Sequence, residues 1–237
     1  MELNAHRDPL PAPGEKAAAV RDMFDRIAPG YDRMNGLMTA GFDRAWRRAV
    51  LDIAAVGNGD LLVDVACGTG DLGLLARRDG ASVAAVDFSG PMLGIAAERG
   101  LEGRLSRADA LALPVANGCA DAVTCGFALR NFVSIPPFLA EAARILKPGG
   151  RIVVLEVATP TNPLIRFCHQ IYFNRVVPFL GALLAEREAY TYLPHSVVYL
   201  PTTAELLEML DAAGFERTGA RKLGSGGIQL VHGRRRS

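Results

Sequence analysis

The chain has 237 residues, half of them hydrophobic, enough to bury one large core and in the size range of one α/β domain. Its 26 basic and 25 acidic residues nearly cancel, to +1. That balance gives no electrostatic ground for nucleic-acid binding, which normally shows as a concentrated basic surface. Cys67, Cys119, Cys125 and Cys168 have no C-x-x-C spacing and no matching histidine cluster, so neither a disulfide framework nor a metal site is predicted, and reduced thiols fit a cytoplasmic protein.

Residues 1–18 mix Pro9, Pro11, Pro13 and Gly14 with charges and lack an apolar stretch, so they read as a disordered lead and not a signal peptide. Val20, Met23, Phe24, Ile27 and Tyr31 then fall on one face at helical spacing. Strands are predicted at 61–66, 82–87, 104–108, 121–127 and 151–157. Between them lie helices at 71–79, at 90–99 (opened by Ser89, with Pro91 in its first turn) and at 136–146, closed by Lys147-Pro148-Gly149-Gly150. Residues 162–200 read as a helical insertion or lid on the substrate side. Its apolar run, Ile165 to Leu184, is interrupted by Arg166, His169, Gln170, Asn174, Arg175 and Pro178 and makes a poor membrane span. A helix from Thr203 to Ala213, a Gly214 stop, strands at 216–222 and 228–232 and a solvated basic tail at 234–237 complete the chain. The alternation predicts a single α/β domain over 19–233. Its sheet is Rossmann-like and seven-stranded, mostly parallel with an antiparallel C-terminal hairpin strand, and carries helices on both faces.

The first strand breaks into Ala66-Cys67-Gly68-Thr69-Gly70-Asp71, a glycine turn that opens a helix. Such a turn lets the backbone approach a ligand, and the helix offers its first amides. Asp87 ends the next strand about 20 residues on, where a βαβ unit places a ribose-binding carboxylate, with Phe88 beside it. Gly68, Gly70 and Gly73 also spell the G-x-G-x-x-G of dinucleotide sites, so the glycines alone leave the cofactor open. Asp64 argues against a dinucleotide: a diphosphate gains nothing from negative charge before the loop, whereas S-adenosylmethionine carries an ammonium and a sulfonium. Asp71 suits that cation too, although it equally fits a helix N-terminus. Asp109, with Ala110, ends the third strand where a carboxylate can meet the adenine amino group, and Gly126 ends the fourth. The predicted cofactor is S-adenosylmethionine, held by Asp64, Gly68, Thr69, Gly70, Asp87, Phe88, Asp109, Ala110 and Gly126.

This order of elements resembles the class I S-adenosylmethionine-dependent methyltransferase fold. Further segments are similar to the ubiquinone/menaquinone C-methyltransferase family: Met23 to Asn35, Asp43-Arg44-Ala45-Trp46-Arg47-Arg48, Phe127-Ala128-Leu129-Arg130-Asn131, Tyr190 to Ser196, and Gly226 to Gly233. The likeness runs from about residue 20 to 233. Ala128 stands where that family usually has Gly, and Pro194-His195 where an Ala-Glu type pair is common. Both departures bear on substrate choice.

The resemblance implies transfer of a methyl group to a ring carbon of a prenylated hydroquinone, most directly demethylmenaquinol to menaquinol or the ubiquinone-pathway equivalent. Another phenolic substrate, or a methyltransferase-like scaffold that transfers nothing, are the alternatives. Ring carbon needs a neighbouring hydroxyl that gives up its proton. Arg130 stays protonated and is assigned to hold a water or the developing phenolate, with Asn131 orienting ring or cofactor. The competing reading of this pair is a buried arginine that ties loops together. Tyr31, Tyr190 and His195 are candidate substrate contacts, and Cys125 and Phe127 are expected only to pack. A lipophilic quinol implies an entrance. Leu164, Ile165, Cys168, Ile171 and Tyr172 can share a helical face, which fits a peripheral membrane contact, a homodimer contact or a helix covering the sheet.

Overall fold

The computed structural model describes residues 15–176 and 196–237. Seven strands form one sheet in the order β3-β2-β1-β4-β5-β7-β6. They are β1 (Leu61–Val65), β2 (Ser82–Asp87), β3 (Leu105–Arg107), β4 (Ala120–Gly126), β5 (Leu146–Val157), β6 (Phe215–Leu223) and β7 (Ile228–Arg235). β1 to β5 pair in parallel, and β7 runs antiparallel to both β5 and β6.

The two faces follow from the period-2 alternation of strands buried on both sides. Leu62, Val83, Val153 and Leu155 pack under α3 (Asp43–Ala54) and α4 (Asp71–Arg78). Val63, Val65, Ile152 and Val154 pack on the other face against α6 (Ile135–Ile145) and α8 (Thr203–Ala212). Side-chain caps fix two helix starts. The Ser89 hydroxyl accepts from Met92 N at the head of α5 (Gly90–Ala96), and Thr202 and Glu205 form a reciprocal capping box on α8. A third cluster, Val20, Met23, Ile27, Met34 and Met92, seats α1 (Lys16–Ile27) and α2 (Tyr31–Met38) over the carboxyl ends of the strands. α7 (Pro163–Ile171) follows β5.

The strand order reverses between β1 and β4, so the loops after β1, β2 and β4 open on one crevice, the place where open α/β sheets bind ligands.

Several predicted boundaries shift. α1 begins at Lys16, inside the stretch read from sequence as the lead, and the buried Lys16 side chain ties it down: Nζ donates to Phe132 O at 2.7 Å and sits 3.9 Å from the Tyr199 ring centre. α5 ends at Ala96 and relaxes into a π turn, Ala97–Leu101, because Gly100 turns left-handed at φ 106°. β5 starts at Leu146, not 151. Leu146 already pairs with Ala120, and Lys147–Gly150 fill a register shift before Arg151 pairs with Ala122, a place where proline removes no ladder bond. Arg234 and Arg235, read from sequence as a solvated tail, belong to β7, and the Arg235 guanidinium donates to Leu146 O.

Candidate active site

Left-handed backbone at Ala66, Gly68 and Gly70 makes the turn after β1. At Gly70 a Cβ would come within 2.5 Å of Leu101 Cδ1, so no side chain fits between this turn and the end of the α5 region. A Cβ on Gly68 would meet nothing within 4 Å, since it would stand in the open crevice. The crevice is lined by Gly68, Asp87, Phe88, Asp109, Ala110, Gly126 and Asn131, and α1 and α2 close it with Val20, Phe24 and Tyr31. Asp87 anchors the turn: Oδ2 accepts from Gly68 N at 2.7 Å and Oδ1 from Ser89 N at 2.8 Å. Burial pushes its carboxyl above the usual range, against the pull of those amides. Asp109 accepts from Leu111 N at 2.9 Å.

A smaller cleft adjoins, between Tyr31, Arg47, Asp64, Gly68, Thr69, Asp71 and Gly126. Asp64 is almost wholly buried and accepts from Thr124 Oγ1 at 2.8 Å and Gly73 N at 3.2 Å. Desolvation pushes its carboxyl up to about 7. Thr69 lies here too, but its hydroxyl donates to Asp32 Oδ1 on α2 at 2.6 Å. Gly70 lines neither cleft; it is the residue from which α4 starts.

On the far side of Tyr31 and Phe127 lies a second, mainly apolar cavity. Its walls are Met23, Phe24, Ile27, Met38, Trp46, Val157, Tyr172 and Ile228, with Arg130 and His169 as its basic side chains. Tyr31 and Phe127 line both this cavity and the crevice. The predicted pair therefore divides: Arg130 faces the apolar cavity and Asn131 the crevice. Arg130 is buried, and its Nη1 donates to Glu156 Oε1, which also accepts from Val157 N at 2.9 Å. Glu156 is fully buried and its Oε2 has no hydrogen-bond partner. Burial pushes the Tyr31 phenol up, while Arg47 and Arg130 pull it down. Tyr190 and His195 lie outside the described residues.

Four of the residues here were not expected at a site. Phe127, predicted only to pack, divides the two cavities: its φ of 58° turns it out of β4, while Phe127 N still bonds Leu155 O and its ring meets Trp46 edge-on at 6.3 Å. Arg47 and Trp46 enter from α3, and His169 from α7. The Trp46-Arg47 pair in the segment after α2 was the available signal. Cys125, by contrast, is fully buried, and burial raises its thiol well above the ordinary range. α7 also differs in detail from expectation: Leu164, Phe167, Cys168 and Ile171 are exposed, while Tyr172 beyond it turns inward and donates to Met38 O.

The donor set fits S-adenosylmethionine. Carboxylates stand at both ends of the glycine turn, Asp64 buried and Asp71 half-buried, Gly68 leaves space for a ligand, and no basic residue but Arg47 lines the smaller cleft among the described residues. Sheet order, antiparallel β7 and this crevice define a class I S-adenosylmethionine-dependent methyltransferase. A solved structure described as an S-adenosylmethionine-dependent methyltransferase from Thermotoga maritima has the same fold, with a TM-score of 0.67 at 20% identity, covering 91% of this chain and 99% of that one.

The family model described as the ubiE/COQ5 methyltransferase family matches residues 13–235, and the chain belongs to that family. It is 43% identical to a demethylmenaquinone methyltransferase of Roseiflexus castenholzii, over 96% of this chain and 98% of the relative. To a protein of the same description from Thermus thermophilus it is 46% identical, over 81% of this chain and 91% of the relative.

Proposed function

We propose that this enzyme methylates a ring carbon of a prenylated hydroquinone, demethylmenaquinol to menaquinol being the favoured reaction. The observation that carries the reading is the pair of cavities that meet at Phe24, Tyr31 and Phe127: a crevice with Asp87, Asp109 and Asn131 in its lining for the cofactor, and beside it an apolar cavity whose wall presents one anchored guanidinium. When bound, S-adenosylmethionine supplies an electrophilic methyl group on a sulfonium. Asp87 would hold the ribose hydroxyls, Asp109, Ala110 and Phe88 the adenine, and Asp64, Gly68 and Thr69 the methionine end, where Thr69 contributes its backbone.

The chain's remaining task is alignment, which can contribute about 7 to 11 kcal/mol for well-oriented reactants. Met23, Phe24, Ile27, Trp46 and Phe127 would fix the ring plane and exclude water. Arg130, its direction set by Glu156, would turn its remaining N–H groups to the ring oxygen and stabilise the phenolate left when a water takes the hydroxyl proton. Stabilisation of charge that develops in a dry site is commonly the largest catalytic term. Asn131 would serve the cofactor, since it lines the crevice.

Residues 162–176, the described start of the segment read as a substrate-side lid, would flank the substrate cavity. His169 and Tyr172 face the apolar cavity, while Leu164, Phe167 and Ile171 are exposed at i, i+3 and i+7 on α7. Such a stripe suits the headgroup boundary of a bilayer, so the helix would rest on the membrane that holds the quinol. Among the described residues no helix is long and apolar enough to cross one. Incubation with labelled S-adenosylmethionine and a panel of demethylated quinols, read by mass spectrometry, tests the reaction: ring-methylated menaquinol is expected. Cofactor binding without any methylated product would instead favour a scaffold.

A further inference from the structure

We propose that Arg47 is the receptor for the carboxylate of the cofactor's methionine end. Its side chain leaves α3 and reaches the smaller cleft, where it is the one basic residue lining the walls among the described residues. The residue is 7% exposed, yet its Nε has no hydrogen-bond partner. Its two carboxylate neighbours are held loosely: Asp43 Oδ2 lies 3.5 Å from Nε and Asp71 Oδ2 lies 3.2 Å from Nη2. Charge-assisted bonds of this type close to about 2.7–2.9 Å when the partner is committed. Both carboxylates are shared, each through its other oxygen. Asp71 accepts from Arg99 Nη2 at 2.6 Å, and Asp43 is shared with Thr39 Oγ1 at 3.2 Å.

Nη1 lies beside Gly126, which lines the same cleft: a Cβ there would approach it to 3.7 Å. Burying a guanidinium with long, shared contacts costs stability, and a planar fork with a free edge is what a carboxylate engages in bidentate fashion. Across the same cleft Asp64 offers the opposite charge. An amino-acid zwitterion laid between them would put its ammonium at Asp64 and its carboxylate at Arg47, which sets the direction in which the cofactor enters.

Calorimetry on the full chain decides it, with three ligands: S-adenosylmethionine, its decarboxylated analogue, which keeps the sulfonium and the ammonium, and 5′-methylthioadenosine, which lacks the amino-acid end. The native chain should prefer S-adenosylmethionine over the decarboxylated analogue on the order of 10²-fold, the scale of hydrogen bonds between charged groups. Arg47→Gln should reduce that preference to about threefold or less and leave methylthioadenosine affinity unchanged; Arg47→Lys should restore part of it, as a point charge without the fork. Equal binding of the two sulfonium ligands by the native chain would overturn the assignment while leaving the adenosine site in place. So would full discrimination by Arg47→Gln, or a parallel loss of methylthioadenosine binding in it, which would make Arg47 structural.

Discussion

Arg130 and Glu156 form a buried ion pair with one carboxylate oxygen left over, and this governs what mutations at the pair will report. Arg130→Ala removes the proposed phenolate donor, but it also strands Glu156, and breaking a buried pair costs about 3–5 kcal/mol. We expect the single variant to unfold at lower denaturant concentration as well as to turn over slowly. The double variant Arg130→Gln/Glu156→Gln removes both charges; it should recover much of the stability while turnover stays about 10²- to 10³-fold low. Chemical denaturation beside single-turnover rates checks this, and recovery of both quantities together would make Arg130 purely structural. Asp64 yields a second expectation. Its carboxyl titrates near 7 in the folded, cofactor-free chain against 3.8 as a free side chain, so the folded state keeps a proton that the unfolded chain has lost. That contribution to stability is fully present at low pH and is lost as pH rises to about 7. A cofactor ammonium favours the charged form, so binding at pH 6.5 should release protons. Calorimetry in buffers of different ionisation enthalpy reads that number directly; Asp64→Asn should abolish most of it. Asp87→Ala should weaken cofactor binding by about 10- to 100-fold, the value of one or two bonds to a charged acceptor, and also loosen the turn, because Gly68 N and Ser89 N lose their acceptor.

At the scale of elements, α1 and α2 act as a roof and α7 as a flank. Polar ties hold the roof down: Asp32 accepts from Thr69 Oγ1 and Arg99, and Asp25 from Ser89. The Thr69 and Ser89 ties join the roof to the loops after β1 and β2, which carry residues proposed to hold the cofactor. α7 carries the exposed stripe of Leu164, Phe167 and Ile171. If this stripe meets the bilayer, Leu164→Glu/Phe167→Glu should abolish cosedimentation with phosphatidylcholine vesicles. Methylation of a short-chain, water-soluble quinol should then be unchanged, and only long-chain substrate in vesicles should be poorly used. A shift from dimer to monomer in analytical ultracentrifugation, with vesicle binding intact, would assign the stripe to a partner copy instead. α7 was legible as a helix from its spacing. Which of its residues face inward was not, because neighbouring apolar positions 164, 165, 168, 171 and 172 fit one broad stripe until Met38 and the cavity select Tyr172.

Over the whole molecule, cofactor binding joins α1, α2 and the rims of β1, β2 and β4, so ligand and stability are linked. At a hundredfold excess over Kd, S-adenosylhomocysteine should add about 2.7 kcal/mol, which for a chain of this size raises Tm by roughly 5–10 °C; a thermal scan with and without ligand checks it. Much of this architecture was already determined by the amino-acid sequence. The apolar runs and their period placed the strands, the turn Cys67 to Asp71 the helix start, and Asp87 and Asp109 at or just beyond strand ends on the crevice proposed for the cofactor, all because these signals are local and repeat within a few residues. The division of labour at the site was decided only by tertiary structure. Arg47 is 79 residues from Gly126, Glu156 is 26 from Arg130, and Tyr31 and Phe127, 96 residues apart, line the same two cavities. No local pattern encodes which buried guanidinium meets Glu156 and which lines the smaller cleft; that choice arises when helices from outside the sheet close over its carboxyl rim and remove water from charges that the chain keeps far apart.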